Sequence, residues 1–523
     1  NMLAKLYSAA VFCLEISKVE VEVDVSEGLH SFNIVGLPDT SVLEAKQRVS
    51  AAIKNIGAKS PLRANKKITI NLGPADLKKF GSYYDLSIAI GYLLASGQIP
   101  PFNFENKIFI GELDLEGNLK PVVGVLPIAL WAEENNFKYL ILPKENASEA
   151  LAGVKNLKIV GLNNLKEVIA FLEGKLALNN IHKNSLETQK FQENQNTIPA
   201  EFSQIHGQEF AKRALTVAAS GGHNLLMIGP PGAGKTLLAK SFLSLLPELS
   251  FEESIEVTKI YSISGLLNNN QFLITKKPFR NPHHSSSLAA IVGGGTWPKP
   301  GEITLAHRGV LFLDELPEFR RDVLESLRQP LEEGTVSISR AKGRIVFPAK
   351  FILIAAMNPC PCGYFGDQKK ECTCSAADII RYRKKISGPL LDRIDLIIEV
   401  NRLSFEEMRN KPSTNNFFEI KQEINQCRNL QKERFKIIAQ KQKRNIFTNA
   451  EMEISEIETF CQLDKESEVL LKKAVDQYAL SARSYHRLLK ISRTIADLDN
   501  SENIRYKHLA EALRYKVELK INE

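Results

Sequence analysis

Val19, Val21, Val23 and Val25 alternate with Glu20, Glu22 and Asp24, the period of a strand with one wet face. Lys67–Leu72, Lys107–Ile110 and Leu140–Pro143 predict further strands, and Val42–Ile56 and Asp85–Leu94 predict helices. The apolar stretch Leu6–Leu14 follows Lys5 as the core of a signal peptide would, but Glu15 comes at once and no small-residue cleavage site is clear. It reads as a strand or short connector. Asn179–Thr197 is polar, rich in Asn, Gln and Lys, and nearly without period, as a linker is. A second region of alternating strand and helix signals runs from about Ala200 to Val400. Beyond Arg402 the strand signals fade. Ile424–Gln440, Glu468–Ala479, Tyr485–Asp497 and Lys507–Tyr515 are amphipathic at helical spacing. The expected organisation is an α/β chain with a domain over 1–178, a linker over 179–199, an α/β domain over 200–400 and a helical domain over 401–523.

Composition narrows this little. A chain of 523 residues is too long for one core. Its hydrophobic fraction of 44% is ordinary, and no apolar run is long enough to span a bilayer, so no membrane partner is expected. Asn1 precedes Met2 and is expected to be a leftover residue ahead of the start. Seven cysteines, four of them clustered, do not form the framework of a secreted protein and fit a reducing cytoplasm. A net charge of +8 permits nucleic-acid binding without arguing for it.

Gly229-Pro230-Pro231-Gly232-Ala233-Gly234-Lys235-Thr236 is a phosphate-binding loop between the apolar run Asn224–Ile228 and a helix start. Glycines let backbone N–H groups point at phosphates, and a helix N-terminus favours an anion. Lys235 would reach the β- and γ-phosphates of ATP, and the Thr236 hydroxyl would sit on magnesium. Leu311–Leu313 is a second apolar strand, ending in Asp314 and Glu315. Asp314 would hold the magnesium ion, and Glu315 would act as general base on the attacking water.

The same region carries more. Phe351–Met357 is an apolar strand ending in Asn358, the sensor-1 position of AAA+ ATPases, where an amide orients the water. Pro389–Asp395 resembles the arginine-finger segment of magnesium chelatases and MCM helicases, which implies that Arg393 completes a neighbour's site; Arg383 competes for that role. Ser481-Ala482-Arg483 resembles a sensor-2 motif, which implies that Arg483 contacts the γ-phosphate from a helical lid. Phe279–Ser287, Val292–Gly295 and Pro300–Phe319 are similar to the magnesium-chelatase subgroup, and the whole chain resembles the ComM/YifB family. The resemblance implies a Lon-protease-like α+β N-terminal domain, a P-loop AAA+ domain with a parallel sheet, a C-terminal helical lid, and a homo-oligomeric ring, expected to be a hexamer. Lon proteases use a Ser–Lys pair. Here the serine's place is taken by Tyr83, with Ser82 one position early, and the lysine's place falls near Leu126. Without nucleophile and base no peptidase is expected.

Cys360-x-Cys362 and Cys372-x-Cys374 bracket a nine-residue loop with Gly363 and Gly366. Four thiols so spaced can close on one structural zinc ion, although zinc more often takes Cys-x-x-Cys. His283 and His284 are expected to diverge and to serve hydrogen bonding rather than metal. Arg340, Lys342 and Arg344 crowd the tip of a hairpin formed by Val336–Ser339 and Arg344–Phe347, with Trp297 in a Gly/Pro-rich insertion over 293–306. In a ring such tips line a pore, and basic tips with a stacking aromatic suit phosphate backbone without sequence preference.

The reading is an ATP-driven DNA motor. What the family resemblance implies is helicase-driven branch migration of recombining DNA during natural transformation, on single-stranded, forked or branched substrates. The alternatives are a magnesium-chelatase-type metal-insertion ATPase and an ATP-dependent protein remodeller.

Overall fold

Strand pairing begins where the alternating valines are. Met2–Phe12 pairs antiparallel along its whole length with Glu15–Val25 of the strand Glu15–Glu27, turning at Cys13, whose φ is 56°. Leu6–Phe12 is thus a strand, the first of the two expected readings. Val19, Val21 and Val23 are wholly buried. Lys66–Gly73 adds antiparallel to Glu15–Glu27, and Ser31–Val35 adds parallel to Lys66–Gly73. Helix Asp85–Ala95 is buried at every residue and comes so close to the sheet that a Cβ on Gly91 would lie 2.7 Å from Val23 Cγ2. Lys107–Phe109, Tyr139–Pro143 and Lys158–Leu162 form a parallel three-stranded sheet.

The computed structural model describes residues 2–63, 65–176, 202, 204–267, 273–295, 299–340, 343–367, 369–403, 415–442 and 446–515. The expected linker, 179–199, lies outside the described residues. Two compact units make up the chain, one of Asn1–Glu193 with Ser250–Thr275, the other of Asn194–Leu249 with Lys276–Glu523. Helix Phe251–Ser264 therefore belongs to the first unit, whereas the sequence placed it inside a continuous 200–400 block. Val257 and Ile260 are buried there. Ser262 Oγ donates to Glu149 Oε1 at 2.5 Å, and the Ser262 carbonyl accepts from Gly124 N at 3.2 Å.

The second unit is built on five parallel strands in the order Phe279–Arg280, Val310–Leu313, Ile352–Met357, Leu225–Ile228, Leu396–Glu399. Leu225–Ile228 and Val310–Leu313 are buried at every residue, as a sheet covered on both faces requires. The first of these strands in the chain lies between the fourth and the last, a reversal of winding whose carboxyl side forms a crevice. The helices Asn415–Gln442, Ile454–Phe460, Lys465–Tyr478, Ala482–Leu498 and Tyr506–Arg514 make up the C-terminal part. A buried polar network ties them to the sheet domain. Asp497 takes Arg434 Nη1 at 2.8 Å and Arg493 Nε at 3.0 Å, and Thr494 Oγ1 lies 2.8 Å from His223 Nε2.

The first unit contains no Ser–Lys pair at the expected places. Tyr83 is buried, and its hydroxyl donates to the Val123 carbonyl at 2.9 Å. Leu126 is wholly buried. Ser82 Oγ donates to Glu112, and the buried Lys79 ammonium donates to the Pro74 carbonyl. Peptidase assays on casein and short fluorogenic peptides should read blank with and without ATP. Cleavage that Ser82→Ala abolishes would show that the serine, not Tyr83, holds the nucleophile's place.

Candidate nucleotide site and thiol cluster

Three strand ends deliver the site. After Ile228 the chain turns at Gly229, where a Cβ would sit 2.1 Å from the Val400 carbonyl oxygen, so only glycine fits. Gly232 and Gly234 have φ of 79° and 87°, and a Cβ on either would meet nothing within 4 Å. The loop's outer face is thus open, and helix Lys235–Leu245 starts at Gly234. Lys235 is buried and its ammonium donates to the Gly229 carbonyl at 2.7 Å, the Pro230 carbonyl at 3.0 Å and Asn358 Oδ1 at 3.2 Å. Burial lowers its pKa, against the opposing pull of Asp314 and Glu315.

Asp314 follows Val310–Leu313 directly and accepts the Thr236 hydroxyl at 2.9 Å. A hydroxyl and a carboxylate at that spacing are the oxygen donors that magnesium takes beside nucleotide phosphates. Glu315 adopts a left-handed backbone, φ 52°, with its N–H on Asp314 Oδ1 at 2.9 Å. Its side chain is exposed at the same strand end. Asn358 follows the Ile352–Met357 strand. The structure therefore brings Lys235, Thr236, Asp314 and Asn358 together as expected, with Glu315 beside Asp314.

One neighbour was not foreseen. His284 Nδ1 lies 3.5 Å from Glu315 Oε2, and the His283 and His284 rings lie against each other with centroids 4.1 Å apart and planes tilted by 34°. The expectation that these rings diverge assumed a helix or strand. The segment is a turn, which turns both rings to one side. A paired histidine after an asparagine–proline turn was the signal available.

Arg393 and Arg483 are not at this site. The Arg393 carbonyl accepts Asn224 Nδ2 at 3.0 Å, at the amino end of the Leu225–Ile228 strand. The phosphate loop leaves the other end, roughly 16 Å of strand away. Arg393 Nη2 pairs with Glu332 Oε2 at 2.5 Å, and Arg483 pairs with the other oxygen of the same carboxylate. Asp395 instead faces His223 and Asn224. Arg483 opens its helix behind an N-cap at Ser481, as expected. Arg383 Nε donates to the Pro359 carbonyl at 3.3 Å, and its guanidinium lies 5.4 Å from the Phe365 ring centroid. That contact commits Arg383 to the cysteine loop.

The thiols of Cys360, Cys362, Cys372 and Cys374 converge, all within 4.8 Å of one another. Sγ separations of 3.3 Å for Cys360–Cys362, 3.7 Å for Cys360–Cys372 and 3.6 Å for Cys362–Cys372 exclude disulfides. Sulfurs placed tetrahedrally at zinc–thiolate distance would be about 3.8 Å apart. Phe365 N donates to Cys360 Sγ at 3.3 Å, as amides do around metal thiolates. The cluster can hold a metal ion.

The basic hairpin forms from Thr335–Arg340 and Gly343–Pro348, paired Arg340 to Gly343. Arg344 is exposed, with Nη2 on Ser337 Oγ at 2.7 Å. Lys342, Trp297 and the side chain of Arg340 lie outside the described residues.

Sheet order, phosphate loop and acidic strand end define a P-loop module of the AAA+ kind, and its magnesium-chelatase type is what the family models match. "Magnesium chelatase, subunit ChlI" matches residues 201–408, "Subunit ChlI of Mg-chelatase" residues 21–146, and "Magnesium chelatase, subunit ChlI C-terminal" residues 415–516. Competence protein ComM of Haemophilus influenzae is 43% identical over 99% of this chain and 98% of its own. The uncharacterized protein YifB of Escherichia coli is 41% identical over 98% of this chain and 97% of its own. The magnesium-chelatase 38 kDa subunit of Rhodobacter capsulatus is 28% identical over 30% of this chain and 50% of its own. The chain belongs to the ComM/YifB family, and with it to the magnesium-chelatase-like AAA+ proteins. Among the described residues no helix is long and apolar enough to cross a membrane.

Lys235→Ala should abolish nucleotide binding, because a buried phosphate contact is lost. Glu315→Gln should bind ATP normally and turn it over at least about a hundredfold more slowly. His284→Ala should slow turnover less, since the carboxylate remains. Equilibrium binding and phosphate release, measured separately, check all three; wild-type turnover in Glu315→Gln would remove Glu315 from the mechanism.

Proposed function

We propose that this protein is an ATP-hydrolysing ring, six chains in number, that moves DNA through its pore and promotes branch migration when incoming DNA recombines during natural transformation. The observation that carries the shared-site part is the position of Arg393. It sits at the amino end of the central strand while Lys235 sits beyond the carboxyl end, farther than an arginine reaches. Its use in hydrolysis is therefore on a neighbour's nucleotide. Arg483, held on the same Glu332 carboxylate, goes with it. An arginine finger of this kind is worth about 10³–10⁵ in turnover.

The DNA reading rests on the basic hairpin and on the relative whose printed name is a competence protein. The pore contacts are Arg340, Lys342 and Arg344. Zinc is the ion of the four-cysteine cluster, with a structural role. The compartment is the cytoplasm, where thiols stay reduced.

Arg393→Ala should bind ATP and turn over poorly. Mixed with Glu315→Gln it should regain activity, because one mixed interface joins an intact Glu315 to an intact Arg393. No rescue at any mixing ratio would place Arg393 outside a shared site. Neutralising Arg340, Lys342 and Arg344 together should weaken binding to single-stranded and forked DNA and cancel DNA-stimulated turnover while basal turnover persists. Salt titration should show the logarithmic slope flattened by roughly 0.7–0.9 per lost phosphate contact, alike for unrelated sequences. Unchanged affinity, slope and stimulation would mean that this hairpin is not the DNA contact.

A further inference from the structure

The cysteine loop starts two residues after Asn358 and packs on the phosphate loop. A Cβ on Gly363 would lie 2.8 Å from Pro231 Cδ and 3.8 Å from Asn358 Cγ. Gly363 is buried with φ of 87°, and its N–H donates to the Cys360 carbonyl at 3.0 Å. The loop turns again at Gly366, φ 79°. The Asp367 carboxylate then accepts Lys369 N at 2.8 Å and Lys370 N at 3.3 Å, and lies 3.1 Å from Arg402 Nε. Arg402 in turn stacks its guanidinium 5.4 Å from the Tyr364 ring centroid.

These contacts place Lys369 and Arg402 on the wall of a cavity of about 390 Å³. Ile205, Leu237, Leu238 and Leu403 supply its apolar lining, and the phosphate loop from Pro231 to Gly234 closes one side. An apolar slot that runs into a phosphate loop is shaped for a base and ribose. Two cations on its rim can face the π surface of a base or the oxygens of the first phosphate.

We infer that the four-thiol metal site is a wall of the nucleotide pocket, so that bound metal sets the affinity for a purine nucleoside triphosphate by holding Lys369 and the Asp367–Arg402 pair in place. This rests on the nucleotide-binding reading above and deepens it. An ion joining Cys360 and Cys362 to Cys372 and Cys374 fixes both ends of the intervening loop, which otherwise has to be ordered at the moment the nucleotide binds. Metal and nucleotide are then linked, although neither touches the other.

The test uses the full chain, a fluorescent non-hydrolysable ATP analogue with magnesium, and metal analysis on the same samples. Wild type should carry about one zinc per chain. Stripping it with a thiol-competent chelator should weaken nucleotide binding at least about tenfold, and zinc should restore it. Lys369→Ala should keep its zinc and bind the analogue about fivefold more weakly. Wild-type affinity in metal-free protein, wild-type affinity in Lys369→Ala, or failure of reduced protein to take up zinc would each overturn the inference. If wild type binds no nucleotide, like Lys235→Ala, the fault lies in the nucleotide reading itself.

Discussion

The parallel pairing of Leu225–Ile228 between Ile352–Met357 and Leu396–Glu399 is what the nucleotide site hangs on. In a parallel sheet all carboxyl ends lie on one edge. Once these strands are in register, Gly229, Asn358 and Val400 arrive together without any further instruction. Val310–Leu313, paired to Ile352–Met357, adds Asp314 on the same edge. The Lys235 ammonium then closes the assembly by bridging the loop's own carbonyls to Asn358. The strands are buried on both faces, and filling those positions with polar groups would cost more than any one site contact supplies.

The opposite edge is organised by charge. Asn224 Nδ2 donates to the Arg393 carbonyl and its backbone N–H donates to Asp395, while Arg487 donates to the Ile394 carbonyl at 2.5 Å. The start of the Ala482–Leu498 helix is thereby fixed beside the Pro389–Asp395 segment. Glu332 collects both arginines, and its carboxyl is held below the usual range, first by the hydrogen bond from Arg393. An ionised carboxylate clasping two guanidiniums is a good stand-in for a phosphate. It holds the two guanidiniums together at one point.

Most of this was legible in the sequence because the motifs sit on strongly patterned elements. The strands ending at Gly229, Asp314 and Asn358 are apolar runs of the length a buried strand needs, and the C-terminal helices carry a helical period. The hairpin and the convergence of four thiols followed from spacing alone. What escaped was everything decided by side-chain direction in irregular segments. The His283–His284 ring contact depends on a turn that has no period. Glu332 lies on a short helix, Arg328–Glu333, whose sequence looks like any solvated surface. The place of Arg483 could not be told from its motif, since a sensor-2 helix opens the same way wherever it docks. Nor could any local pattern say that helix Phe251–Ser264 packs on Val125–Glu134, because an apolar face carries no address.

That last helix changes how the first unit has to be regarded. Residues 1–178 form a domain in sequence terms, yet their fold is completed by Val257, Ile260 and Ser262, which come from far downstream. Burying each of the two apolar side chains is worth roughly 1.5–3 kcal/mol. Glu149, which accepts Ser262 Oγ and Leu126 N, is buried enough that its carboxyl titrates above the normal range despite those bonds. A chain cut in the 179–199 segment would strip this helix of its cover and leave that carboxyl with the Leu126 N–H but without the Ser262 hydroxyl. The first unit thus takes in a helix from the middle of the chain.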